Sequence, residues 1–275
     1  MTTSPATRPH SPRAEAEQAL LTPQRAARLR VFNAVLAVVH AAQAVAILLL
    51  SPDFALTVSE TFPEGPPGTA TPAPEAWLDI ALGPAVAAFL LLAALDHALV
   101  AAPGVHRRYE AVLRRGRNPF RWTEYSVSAT IMILLIALVS GITDITALIG
   151  IAGANIAMIL FGLRMERVND QADGTVDWEP FVFGCIVGVL PWVAVILSVG
   201  GAELEATDGG PPNFVYGIVV SLFVLFFSFA VVQFLQYRRV GRFRDYVTGE
   251  TAYLVLSLVA KSALAWQVFA NVLAS

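Results

Sequence analysis

The chain contains a single lysine, Lys261, against 17 arginines, and that lysine lies in the middle of an apolar run. Arginine keeps its proton, whereas a buried lysine amine can lose its proton and condense with an aldehyde. A charge at mid-bilayer costs at least about 2.5–3.5 kcal/mol, so an ionisable group there needs a reason. Lys261 is about 11 residues from one end of its apolar segment and 12 from the other, which makes snorkelling to the surface difficult. Covalent attachment of an aldehyde is one reading. A structural ion pair and the coupling residue of a transporter are its rivals.

A cation held in hydrocarbon requires an anion nearby, or it sheds its proton. Two carboxylates, Asp96 and Glu124, are read as lying inside the apolar segments. Glu124 precedes Ser128 by one turn on the same helical face. The Lys261 side chain leans toward the start of its own helix, which brings it to the depth of Glu124. The plainer reading of Glu124 is a boundary residue paired with Arg121. Ser257 is one turn before Lys261 on the same face, and its alternative role is a bond to a backbone carbonyl. His40 and His97 are intramembrane and either join a proton network or are simply hydrogen-bonded. Asp96 adjoins His97 in sequence, but neighbouring helical residues point in different directions. Trp192, Phe226 and Trp266 are large aromatics that serve packing as readily as a ligand wall.

Other chemistries find no support. No cysteine or histidine spacing suits a metal, no glycine loop suits a phosphate, and no nucleophile–base order suits an enzyme. Cys185 is the single cysteine, so no internal disulfide can form. The net charge of −3 does not suggest a nucleic-acid partner.

These residues need elements to hold them. The 275 residues are 56% hydrophobic and 14% charged, well below the charge of an ordinary soluble domain. The apolar residues form seven segments, near 26–50, 78–101, 120–141, 143–165, 180–200, 212–238 and 250–273. Each suffices for a bilayer core of roughly 30 Å. The expected fold is therefore an all-α membrane protein, a seven-helix bundle over 26–275 after a disordered lead-in over 1–25. That lead-in has no apolar core and does not read as a signal peptide. Gly141 and Asp144 mark a tight turn between the third and fourth segments. All 17 arginines fall in the lead-in, at segment ends or in alternate connections, and the other connections have none. The positive-inside rule then puts the N-terminus in the cytoplasm and the C-terminus outside. The connection over 51–76 is long, acidic and rich in Pro and Gly, and 57–62 is readable as one arm of a β-hairpin.

The segments also resemble a known family. Ser257-Leu-Val-Ala-Lys261-Ser-Ala-Leu-Ala-Trp266-Gln267 closely resembles the seventh helix of heliorhodopsins, and Phe120-Arg-Trp-Thr-Glu124-Tyr-Ser-Val-Ser128 is similar to their third. Gly65-Pro-Pro-Gly68, Phe183-Gly-Cys-Ile186 with Pro191-Trp192, and Phe214-Val-Tyr-Gly217 also match. The resemblance runs from about Asn33 to Gln267 and implies all-trans retinal as a protonated Schiff base on Lys261, with Glu124 as counterion. It places pocket positions on Ser257, His40, His97, Tyr125, Ser128, Asn155, Met158, Trp192 and Phe226. It implies the same inverted topology, and a homodimer built partly on a hairpin in the first external loop. Asp96 stands where the pattern suggests an apolar residue, as an extra proton site.

Function is expected to be light sensing with a slow photocycle, read out by an unidentified partner on the cytoplasmic side. The position one turn before Lys261 is Ser257, where proton pumps resemble one another in having a second carboxylate. The external half holds no ionisable group apart from His40. A light-driven transporter or channel is the alternative, and a retinal-independent transporter or scaffold the next.

Overall fold

The structure is a computed structural model that describes residues 21–169, 175–206 and 210–273. The lead-in up to residue 20 lies outside the described residues. Beyond it Leu21 is already buried, its carbonyl accepting from Arg114 Nη1 at 2.6 Å. Helix α1 (Pro23–Leu50) starts on a proline and is capped by Thr22, whose hydroxyl oxygen accepts from the Arg25 N–H.

After α1 come strands β1 (Ala55–Glu60) and β2 (Glu75–Ala81), then helices α2 (Leu82–Ala101) and α3 (Pro103–Leu113). Four long helices follow: α4 (Pro119–Val139), α5 (Ile145–Val168), α6 (Glu179–Glu205) and α7 (Asn213–Tyr237). A 3-10 turn (Gly241–Arg244) leads to α8 (Tyr246–Val268), which ends in a π-helical turn (Phe269–Leu273). Seven of the described helices, all but α3, are long and apolar enough to cross a membrane, and the chain is a multi-pass membrane protein. Their outward faces remain apolar, as at Val38, Leu49, Ile149, Leu197, Val220 and Val255. Water would not tolerate so continuous an apolar belt, whereas lipid solvates it.

The helices close into a ring. α1 packs on α2, α2 on α4, and then α4, α5, α6, α7 and α8 pack in sequence, with α8 returning to α1. Three buried clusters fill the interior. One occupies the half nearest the strands, around Phe89, Ile133 and Leu264, a second the arginine-rich end, around Leu29, Tyr109 and Leu254, and a small third joins Trp122, Tyr125 and Ile159.

Three features differ from the sequence expectation. First, β2 (Glu75–Ala81), which pairs antiparallel with β1, takes residues assigned to the start of the second helix. The cause is pairing of Leu78 and Ile80 with Val58 and Leu56, which an alternating stretch allows and a propensity-based boundary does not reveal. The hairpin is pinned to the α4–α5 turn by the Ser59 N–H, which donates to the Thr143 carbonyl at 2.9 Å. That turn is as expected, with Gly141 at φ +89° and the Asp144 carboxylate accepting from Ala147 N at 2.8 Å. Second, α3 stands in the connection between the second and third segments, to which no element was assigned. It buries His106, Tyr109 and Leu113 at helical spacing and exposes Arg107, Arg108 and Ala111. Third, α8 begins at Tyr246, one turn before the expected 250, capped by Asp245, which also receives Arg25 from α1 at 2.9 Å.

Candidate functional site

One face of α8 carries Glu250, Tyr253, Ser257 and Lys261 at spacings of three and four, all buried. The facing side of α4 carries Arg121, Glu124, Tyr125 and Ser128. Lys261 Nζ donates to Ser257 Oγ at 2.9 Å and to Glu124 Oε2 at 3.3 Å, with the two charged side chains only 3% and 8% exposed. Nζ also sits 4.9 Å from the centroid of the Tyr125 ring. Glu124 Oε1 is buried with no partner, so the carboxylate retains an acceptor site.

From Lys261 a cavity extends between α4, α5, α6 and α7. Its volume is ≈ 120 Å³. That is many times what one water needs, and the walls are almost wholly apolar. Trp192 and Phe226 pack edge to face at 5.4 Å, and Tyr125 and Phe229 do the same. Two glycines make room for the walls. A Cβ on Gly162 would fall 2.3 Å from the Trp122 ring, and one on Gly188 2.3 Å from Met158 Sδ.

Of the residues named from sequence, Tyr125, Met158, Trp192, Phe226 and Ser257 line this cavity together with Lys261. The others lie off it. His40 of α1 and His97 of α2 stack in parallel at 5.6 Å, and His97 Nδ1 is 2.8 Å from Asn33 Oδ1. Both ring nitrogens of His40 are buried without a hydrogen-bond partner, as is Ser128 Oγ. Asn155 donates to Thr130 Oγ1 at 2.9 Å. Asp96 is half-buried beside His97 on α2.

The reading of Glu124 as a partner of Arg121 is not what the geometry shows. Arg121 bridges Glu166 of α5, at 2.5 Å, and Glu250 of α8. The reading that Asp96 and Glu124 are the acids within the apolar segments is thereby corrected, since Glu166 and Glu250 are also buried inside their helices. Every oxygen of that pair has a donor. Asn118 N–H reaches Glu166 Oε2 at 2.7 Å, while Asn118 Nδ2 and Tyr109 Oη reach Glu250 Oε1 at 2.6 and 3.0 Å. The guanidinium lies against the Tyr253 ring at 3.9 Å and the Trp122 ring at 4.9 Å. Three opposite charges at the same depth on three helices were the available signal. Each lay at a segment boundary, where a charge ordinarily faces water.

A ring of seven apolar helices with a buried lysine on the last defines a rhodopsin-like membrane protein. In keeping with this, the crystal structure of a light-driven proton pump LR (Mac) from Leptosphaeria maculans superimposes with a TM-score of 0.61 over 91% of this chain and 97% of its own, at 14% sequence identity. That likeness concerns the fold. No curated protein sequence matches the chain. The family model for heliorhodopsin matches residues 29–273, and the chain belongs to the heliorhodopsin family. Membership implies a retinal chromophore.

Proposed function

We propose that the chain is a light-sensing photoreceptor in which all-trans retinal is joined to Lys261 as a protonated Schiff base and Glu124 is its counterion. The observation that carries the reading is the buried Lys261–Glu124 pair, whose lysine lines a cavity with aromatic walls. The cavity suits a long apolar group anchored by one nitrogen, since its walls are almost wholly apolar and Lys261 lines it. Lys261 Nζ stands where the nitrogen of that linkage would be. Retinal supplies visible absorption and a double bond that isomerises in light.

The protein's own groups set the response. Glu124 fixes the negative charge that keeps the nitrogen protonated. Ser257 accepts from the same nitrogen, and the Tyr125 ring face adds attraction without adding charge. The aromatic walls hold the bound group in one orientation, so a change in its shape presses on α4 and α7. His40, off the cavity, is buried with both ring nitrogens unpartnered. An N-terminus in the cytoplasm follows from the arginine asymmetry on this reading. A second copy of the chain is the proposed partner at the hairpin, where Trp77 and Leu78 are exposed.

Sensing is favoured over transport because the residue one turn before Lys261 is Ser257, and among the described residues no series of carboxyl groups leads from the lysine toward the hairpin end. In liposomes loaded with retinal-bound protein, illumination is expected to leave the external pH steady. A sustained light-driven pH change that a protonophore abolishes would instead show a pump.

A further inference from the structure

The Lys261–Glu124 pair is one of two ion pairs on a single seam. On α4 the seam carries Arg121, then Glu124 and Tyr125. On α8 it carries Glu250, Tyr253, Ser257 and Lys261. The signs are crossed: a cation then an anion along α4 faces an anion then a cation along α8. Between the pairs, Tyr125 Oη donates to the Tyr253 carbonyl at 3.1 Å, which binds the same two helices midway. The seam does not end at Glu250. The Tyr109 hydroxyl, on the fully buried face of α3, donates to Glu250 Oε1 at 3.0 Å. On its opposite side α3 exposes Arg107, Arg108 and Ala111, with Arg115 exposed just beyond its end.

We infer that this seam is a relay by which the charge state of the Lys261–Glu124 pair reaches α3, with Glu250 and Tyr109 as its positioning residues and the basic face of α3 as its output surface. The inference rests on the photoreceptor reading above. If Glu124 takes the proton from the nitrogen, both members of the central pair become neutral and the attraction between α4 and α8 at that level disappears. Arg121 is then the remaining charge on the α4 face, held by Glu166 as well as by Glu250. A shift of α8 relative to α4 changes how Glu250 divides its oxygens between Arg121, Asn118 and Tyr109. Because every one of those donors is buried, none can exchange its partner for water without cost. α3 is the soft member, a helix of 11 residues that does not span the membrane. The coupling is a physical path with two charge arrangements, the property a relay requires.

Amide hydrogen exchange of α3, read by mass spectrometry on the full-length retinal-bound protein in nanodiscs, tests this. Peptides spanning 103–113 are expected to exchange several-fold faster under steady illumination than in the dark. Tyr109→Phe keeps the ring and removes the donated hydrogen bond. It is expected to leave the pigment and its light-induced absorbance change in place while abolishing the light dependence of exchange in α3. Pigment with equal exchange in dark and light overturns the relay alone, as does a wild-type response in Tyr109→Phe. Absence of pigment in the unmodified protein overturns both the relay and the photoreceptor reading.

Discussion

Glu124 spends one oxygen on Lys261 and keeps the other buried and unpartnered, so its charge is committed to a single neighbour. An anion in that position stabilises a protonated nitrogen and widens the gap between the ground and excited states of a pigment attached there. Glu124→Gln removes the charge and retains the shape. The expected outcome is a red-shifted absorption band and a lowered pKa for the linkage, both measured by spectrophotometric pH titration. An unaltered spectrum and titration would move the counterion elsewhere, with Asp96 the next acid to substitute. The pairing of Lys261 with Glu124 was legible in the sequence because one residue was the single lysine and the other an acid at matching depth on another segment. The true partners of Arg121 were not legible. Its choice of Glu166 and Glu250 over Glu124 depends on how α5 and α8 rotate against α4, and residue spacing along one helix does not contain that rotation.

The elements show the same division. Long apolar runs announce spanning helices, because in lipid the backbone must satisfy its hydrogen bonds within each segment. The short amphipathic α3 was hidden among arginines, and β2 looked like the entry to α2 since both are apolar. Burial also makes the Arg121 cluster a structural lock between α4, α5 and α8. Arg121→Ala leaves two carboxylates buried without their cation, and loss of about 3–5 kcal/mol of stability is expected, seen as a lower unfolding midpoint in detergent. Retention of the wild-type midpoint would show that the cluster is hydrated and contributes little. At the other end, Asp144 caps α5. Hydrogen bonds from the Thr146 hydroxyl and the Ala147 N–H hold its carboxyl below the usual value. A lowered folded-state value means that the cap's contribution is present above the unfolded value and is lost as pH falls through the folded one. Asp144→Asn keeps an acceptor but cannot titrate. Its melting temperature is expected to fall less in acid than that of the unmodified protein, and an identical acid profile would assign the acid sensitivity to other groups.

At the scale of the whole molecule, the apolar belt, the arginine-rich end and the hairpin define three surfaces with different solvents. Lipid covers the belt, and α3 with its arginines lies at one rim. The hairpin at the other rim exposes Trp77, 58% accessible, on the outer strand of a two-stranded sheet. An apolar strand edge in that position is suited to pairing with a second copy. Trp77→Ser is expected to raise the monomer fraction of purified protein by mass photometry, without altering the pigment. Equal dimer fractions would exclude the hairpin as the contact. Most of this architecture could be read from the order of apolar and basic segments, including the turn at Gly141. The cavity could not, because it is a joint product of five helices and of glycines such as Gly162, whose value lies in what they leave empty.

On the proposed function, the amine of Lys261 holds an aldehyde pigment in the cavity between α4, α5, α6 and α7. The most direct measurement is the absorption spectrum of the purified protein after addition of all-trans retinal, recorded beside that of Lys261→Ala. A visible band, well to the red of free retinal, is expected in the unmodified protein and none in the variant. A variant that colours as fully as the unmodified protein, or an unmodified protein that stays colourless, would contradict it.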